Sequence, residues 1–309
     1  MSQRSKNTFN LLFFAIAMSV FYFAANFCEK KTDGFSIAFV HSDLSYNPKW
    51  ETKPLSQETH SELEKVFSQK FHYLGYGGQS FVFSSEDRQY VIKFFKHRIF
   101  RNPYKFLITL PLPSILESSR LRKLDRALFK LNRDFMSYKL AYEEIQEKCG
   151  LLYIHLNKGT KLDRSITIID KIGIQHQIDL DNIEFIVQRY AESLYFHIDT
   201  LMAHGDLAAA KQSLNSILEA IANRCQKGIF DEDPRIHNNL GFIGTKAMFI
   251  DIGRFVRDPH RSQPAVYIED LKAITGKRFR PWLEKKHPFL ATHLDEKIHE
   301  LTVHTNPQK

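Results

Sequence analysis

The sequence predicts an α+β protein behind an N-terminal apolar helix: a strand-rich half containing one long helix, followed by a mainly helical half. Three observations predict it. Residues Thr8 to Cys28, TFNLLFFAIAMSVFYFAANFC, carry no charge. From about residue 70 to 190, short runs of β-branched and aromatic residues alternate with Gly and Asp turns, interrupted by one stretch of helical period. After Glu192 the apolar spacing turns helical.

The uncharged N-terminal run, as a helix, spans roughly 30 Å, the thickness of a bilayer core. An uncleaved transmembrane anchor at residues 1–30 is the expectation; a cleaved signal segment and a buried soluble helix are the alternatives. Tyr22 and Phe23 stand where a cleavage site needs small side chains. Basic residues flank both ends (Arg4 and Lys6; Lys30 and Lys31), so they do not fix the orientation.

Residues 31–69 read as a linker, with Asp33-Gly34 and Asn47-Pro48 as breakers, ending in a short helix over 56–69. Strands are expected at 71–74, 81–84 and 89–95, a long helix at 121–148, and further strands at 151–156, 165–172 and 183–190. Helices follow at 194–202 and 207–227, the second with Asp206 as N-cap, and two or three more over 268–303. The long helix carries two apolar stripes. One holds Leu128, Leu131, Phe135, Tyr142 and Ile145; the other holds Phe129, Met136 and Leu140, with Glu143 beside it.

With 309 residues and 43% hydrophobic content, the chain is long enough for one two-lobed domain or two small ones. Cys28, Cys149 and Cys225 are too few and too far apart for a disulfide framework or a zinc site. The net charge of +8 favours anionic partners. Ten Lys/Arg fall between Lys96 and Arg133 against Glu117 and Asp125 alone. That segment is either a solvated helix face and loop or a docking patch for anionic lipid or a phosphorylated partner. No nucleic-acid partner is expected.

Two motifs carry chemistry. Gly75-Tyr-Gly77-Gly78-Gln-Ser80-Phe-Val82 lies between two strands, and Lys93 follows Val82 by eleven residues within the apolar strand QYVIKFF. Glycine lets a backbone approach phosphates closely. The second motif is Asp233-Pro-Arg-Ile-His237-Asn238, with Asp251-Ile252-Gly253 thirteen residues after Asn238.

These residues resemble the protein-kinase-like superfamily, in which a catalytic aspartate and an asparagine stand five apart and a metal-binding Asp-x-Gly follows. His237-Asn238 and Ile250-Asp251-Ile252-Gly253-Arg254 look closer still to the bacterial lipopolysaccharide-core sugar kinases. The resemblance implies a bilobal kinase-like fold, with its N-lobe at 70–190 and its C-lobe at 191–309. It implies ATP and Mg2+ as ligands, Asp233 as the group that accepts or orients a hydroxyl proton, and Asn238 and Asp251 as magnesium ligands. Lys93 would neutralise phosphate charge, under the loop of Gly75, Gly77, Gly78, Ser80 and Val82. Glu143, or its neighbour Glu144, would pair with Lys93. Gln188 and Tyr190 would form the adenine-contacting hinge through the backbone.

Asp231 replaces the usual histidine of that motif, Ser80 its third glycine and Ile252 its phenylalanine. No Ala-Pro-Glu segment follows, and only 58 residues remain after Asp251. These departures point away from peptides, toward a small-molecule, sugar or lipid acceptor, or toward an inactive nucleotide-binding scaffold. A membrane-surface adaptor acting through residues 96–133 is a third reading. Because ATP is intracellular, an active domain would lie in the cytosol. His204-Gly-Asp206 imitates a catalytic loop but lacks the asparagine, and reads as a helix cap. The histidines at 287, 293, 299 and 304 miss the spacing of helical metal ligands.

Overall fold

The computed structural model describes residues 3–97, 110–158 and 161–305. The expected patch at 96–133 therefore lies partly outside the described residues. The chain is α+β. Helix α1 (Gln3–Thr32) comes first, then α2 (Gln57–Phe67), capped by the Ser56 hydroxyl accepting from Thr59 N. Strands β1 (Lys70–Tyr76), β2 (Ser80–Ser85) and β3 (Tyr90–Phe95) form an antiparallel meander. Helices α3 (Ser114–Glu144) and α4 (Gln146–Cys149) follow, then β4 (Leu151–His155), β5 (Ser165–Ile169), β6 (Gln175–Asp179) and β7 (Phe185–Arg189). These seven strands make one sheet in the order β4-β7-β3-β2-β1-β5-β6.

The second half contains β8 (Glu192–Ser193), α5 (Leu194–Ala203), α6 (Leu207–Gln226), β9 (Ile229–Asp231) and α7 (Ile236–Asn239). Then come β10 (Leu240–Ile243), β11 (Lys246–Phe249), β12 (Phe255–Arg257), α8 (Pro264–Gly276), α9 (Phe279–Lys286) and α10 (Pro288–Thr305). Asp206 caps α6 by accepting from Ala209 N at 2.9 Å. Strands β6 and β8–β12 were not expected. They are short, and β6 (QHQID) has almost none of the apolar content by which strands are recognised.

Strand parity sorts the sheet's side chains. On β3, Tyr90, Ile92 and Phe94 enter one core together with Phe81, Phe83, Phe185 and Val187, covered by α2. Burying each of these phenylalanines contributes about 2–3 kcal/mol. The alternate residues Val82, Lys93 and Ile186 are register partners across β2, β3 and β7 and face the other way. Ser80 and Gln188 share their parity. On that face Phe95 and Ile186 join the second core, with Phe135, Tyr138 and the helices of the second half.

Residues 12–32 of α1 are long and apolar enough to cross a membrane, and none of that span is buried. The segment read as a linker is part of the folded body instead. Phe35 and Val40 enter the first core and Trp50 the second. Ser42 donates to Glu184 at 2.7 Å, and His97 Nε2 lies 2.9 Å from the same buried carboxylate. Burial alone would raise the Glu184 pKa, but His97, Lys158 and Ser42 outweigh it and hold it below its ordinary value.

Candidate active site

A cleft of about 1810 Å³ lies between the sheet and the second half of the chain. Gly75, Gly77, Gly78, Ser80, Val82, Lys93, Gln188, Tyr190, Asp233, Asn238 and Asp251 all line it. Residues far apart in sequence meet because the parity of β2, β3 and β7 points one set of side chains at the loops after β9 and β11. Glu143 does not line the cleft.

At Gly75, Gly77 and Gly78 a side chain would meet nothing within 4 Å, so the β1–β2 turn leaves open space over the cleft. None of the three has a left-handed φ; glycine serves here by having no side chain. Lys96 steadies the turn by donating to Gly77 O at 2.7 Å while lying 4.6 Å over the Tyr76 ring.

Lys93 is 9% exposed and donates to the Ile250 carbonyl, one residue before Asp251. Burial lowers the pKa of its ammonium, and the Asp251 charge opposes that shift. Glu143 is turned away from it. Its carboxylate lies 3.8 Å from Lys139 on the outer side of α3, and Glu144 pairs with Arg257 at 2.6 Å. The acidic residue that α3 brings to the cleft is Asp134, 8% exposed. Nine residues separate it from Glu143, half a turn out of phase at 100° per residue. The buried face of α3 is Asp134, Phe135, Ser137, Tyr138, Ala141 and Tyr142. Of the stripe beside which Glu143 was placed, Phe129, 69% exposed, and Met136 lie at the surface, and Leu140 packs against the second core. Burial raises the pKa of Asp134, with Arg133 at 2.8 Å acting against it.

The Asp233 carboxylate is held in a two-pronged ion pair by Arg235, through Nε and Nη2, both at 2.5 Å. That pairing lowers its pKa. Asp231, 2% exposed, accepts from Asp233 N at 2.9 Å and faces Arg224 Nη1 at 3.3 Å. It thus fills the unexpected position with a buried structural pair. Asn239, one residue past the motif, joins the site. Its side chain donates to Asp233 O at 2.6 Å, and its carbonyl accepts from Ile250 N at 2.7 Å. It joins the loop carrying Asp233 and Asn238 to the strand end carrying Asp251. Ser137 of α3 donates to Ile252 O and accepts from Phe255 N, fixing the other side of that turn.

The hinge expectation changes in detail. Gln188 is buried and its side-chain amide donates to Cys149 O and Phe249 O. Arg189 N and Tyr190 N donate to Gly150 O and Gln89 O, both at 2.8 Å. Their N–H groups are therefore engaged within the protein.

Eight Lys/Arg and four carboxylates line the cleft, a surplus of positive charge that suits a polyanion. Among the described residues no cluster of three or more His, Cys, Asp or Glu side chains is placed to hold a metal. Asn238 and Asp251 are exposed on the cleft wall, and both offer hard oxygen donors. Outside the cleft, His287 pairs with Asp199 at 2.6 Å and His293 with Asn215 at 3.0 Å.

The chain matches no protein-family model and no curated protein. Among solved structures it is similar to WbdD, a bifunctional kinase-methyltransferase, at 16% identity and a TM-score of 0.32, over 72% of this chain and 43% of that one. A co-crystal of WbdD with the kinase inhibitor LY294002 gives 16% identity and a TM-score of 0.33, over 74% and 45%. The chain thus spans less than half the length of these solved chains.

Proposed function

We propose that the chain is a membrane-anchored atypical kinase of bilobal, kinase-like architecture, which moves the γ-phosphoryl group of ATP to a hydroxyl of a small-molecule, sugar or lipid acceptor. One observation carries this reading: a single cleft gathers the open glycine turn, the buried Lys93, Asp233, Asn238 and Asp251.

In this reading the β1–β2 turn covers the phosphates and Lys93 neutralises their charge. Asn238 and Asp251 would hold Mg2+, which when bound would supply positive charge to neutralise the phosphates. A bond forms between the acceptor oxygen and the γ-phosphorus while the bond to the β-phosphate oxygen breaks. ADP leaves, and Asp233 takes or orients the hydroxyl proton. With α1 as anchor, the domain lies on the cytosolic side, where ATP is found.

The test is Mg2+-dependent nucleotide binding and turnover, with Lys93→Ala, Asp233→Ala and Asp251→Asn. Unchanged turnover in all three variants would remove the assignment. A reporter fused at the C-terminus reads the side of the membrane.

A second reading, an inactive nucleotide-binding scaffold, is favoured by the Asp233–Arg235 ion pair, which occupies both carboxylate oxygens. It predicts binding without transfer to any acceptor. Robust transfer would exclude it.

A further inference from the structure

The first half of α3 projects its apolar side chains into solvent. Ile115 is 80% exposed, Leu116 56%, Leu121 48%, Leu128 43% and Phe129 69%. The helical period puts Leu121, Leu128 and Phe129 along one side, with the exposed Asp125 among them and Arg122 and Arg126 bordering it. Arg122, Lys123 and Arg126 are all exposed. Glu117 is engaged by Arg120 at 2.5 Å, so Asp125 is the carboxylate closest in sequence to the three cations. Exposed Leu and Phe flanked by Lys and Arg is the pattern of a helix lying in the headgroup layer of a bilayer.

The end of α1 packs against the first, aromatic core, on the sheet face opposite the one α3 covers. Asp33 accepts from Tyr73 at 3.1 Å and from Lys171 at 2.6 Å, and the Phe35 ring packs 5.1 Å from Phe81. The candidate membrane span is thereby fixed to the β1–β2 hairpin that covers the cleft.

We propose that the first half of α3 rests on the surface of an anionic bilayer, a second membrane contact beside the candidate span. The setting rests on the anchored reading of α1; the surface itself does not. Neither core contains a residue before Phe35, so a chain beginning at Glu29 keeps the whole packed interior.

That chain is to be sedimented with vesicles of neutral phosphatidylcholine, and with vesicles containing about one third phosphatidylglycerol. Binding to the anionic vesicles alone is expected, weakened by salt. The triple variant Arg122→Glu, Lys123→Glu, Arg126→Glu is expected to bind more than about tenfold more weakly, and Phe129→Asp to weaken binding as well. Magnesium-nucleotide binding stays unchanged in both variants, which shows that they fold. Equal vesicle binding by the triple variant overturns the proposal. So does Phe129-dependent self-association without vesicle binding, which would assign the face to a second copy. Alkali extraction of the full chain tests the anchor separately. Release by alkali with intact vesicle binding removes the anchor and leaves the docking surface, and the reverse result removes the docking surface alone.

Discussion

The side chain of Gln79, at the tip of the β1–β2 turn, lies against Gly253 in the turn after Asp251. A methyl group on residue 253 would overlap Gln79 Oε1. The cover of the cleft therefore touches the segment that carries the proposed magnesium ligand, and only glycine leaves room for it. The far end of Gln79 is flexible, so the contact is adjustable.

Gly253→Ala should displace Gln79 at a cost under about 1 kcal/mol, because a flexible amide moves and backbone does not. In Gln79→Ala, the same change at 253 should cost less. A double-mutant cycle on thermal stability checks this, and strict additivity would show that the two residues do not touch.

Lys93→Met should abolish nucleotide binding yet stabilise the free protein by about 1 kcal/mol at neutral pH. The ammonium is buried and its folded pKa is lowered. Its contribution to stability is therefore most favourable above the unfolded pKa and is lost as pH falls through the folded value. The advantage of the methionine variant should shrink as pH rises toward 10.5, the ordinary lysine value. Melting curves of both proteins across that range decide the matter, and a gap that widens with pH would contradict it.

Asp134→Asn should weaken magnesium-nucleotide binding about tenfold, a loss of about 1.4 kcal/mol. Glu143→Ala should leave it unchanged and alter stability by less than about 0.5 kcal/mol. Titration calorimetry on the two variants separates the residue facing the cleft from the one facing solvent. A large effect at Glu143 would mean that α3 rotates when nucleotide binds.

Asp231→Ala should destabilise the fold by about 3–5 kcal/mol, since Arg224 would keep a buried charge without its partner. Arg224 is 2% exposed and lies 5.1 Å from the Phe249 ring. Asp231→Ala combined with Arg224→Met should recover much of the loss. Denaturant unfolding measures both, and no recovery would show that Asp231 acts through Asp233 N instead.

Much of the candidate site is legible in the sequence where local spacing alone carries the information. The distances Asp233–Asn238 and Asn238–Asp251, and the parity of Val82 and Lys93 on apolar strands, single out residues that all line one cleft. Helical period likewise reveals α6 and its Asp206 cap. Glu143 fails because both stripes of α3 have helical period, and nothing local tells which faces the sheet. Asn239 and Gln79 stay hidden because each acts through a contact with a residue distant in sequence. The packing of residues 35–50 is masked by breakers such as Asp33-Gly34, which mark a change of direction and not a loss of contact.

By itself the sequence determines the uncharged span of α1, the alternation that turns Lys93 away from the aromatic core, and the order of the polar residues around Asp233. Each depends on covalent geometry over a few residues, where period and parity are fixed. Only the tertiary structure decides that Asp134 and not Glu143 enters the cleft, that Asp231 belongs to Arg224, and that Gln79 meets Gly253. Those pairings are set by the rotation of α3 against the sheet and by the closure of the cleft. Both are settled by burying apolar surface on opposite sides of the polar groups, an outcome of the whole chain and not of any local stretch.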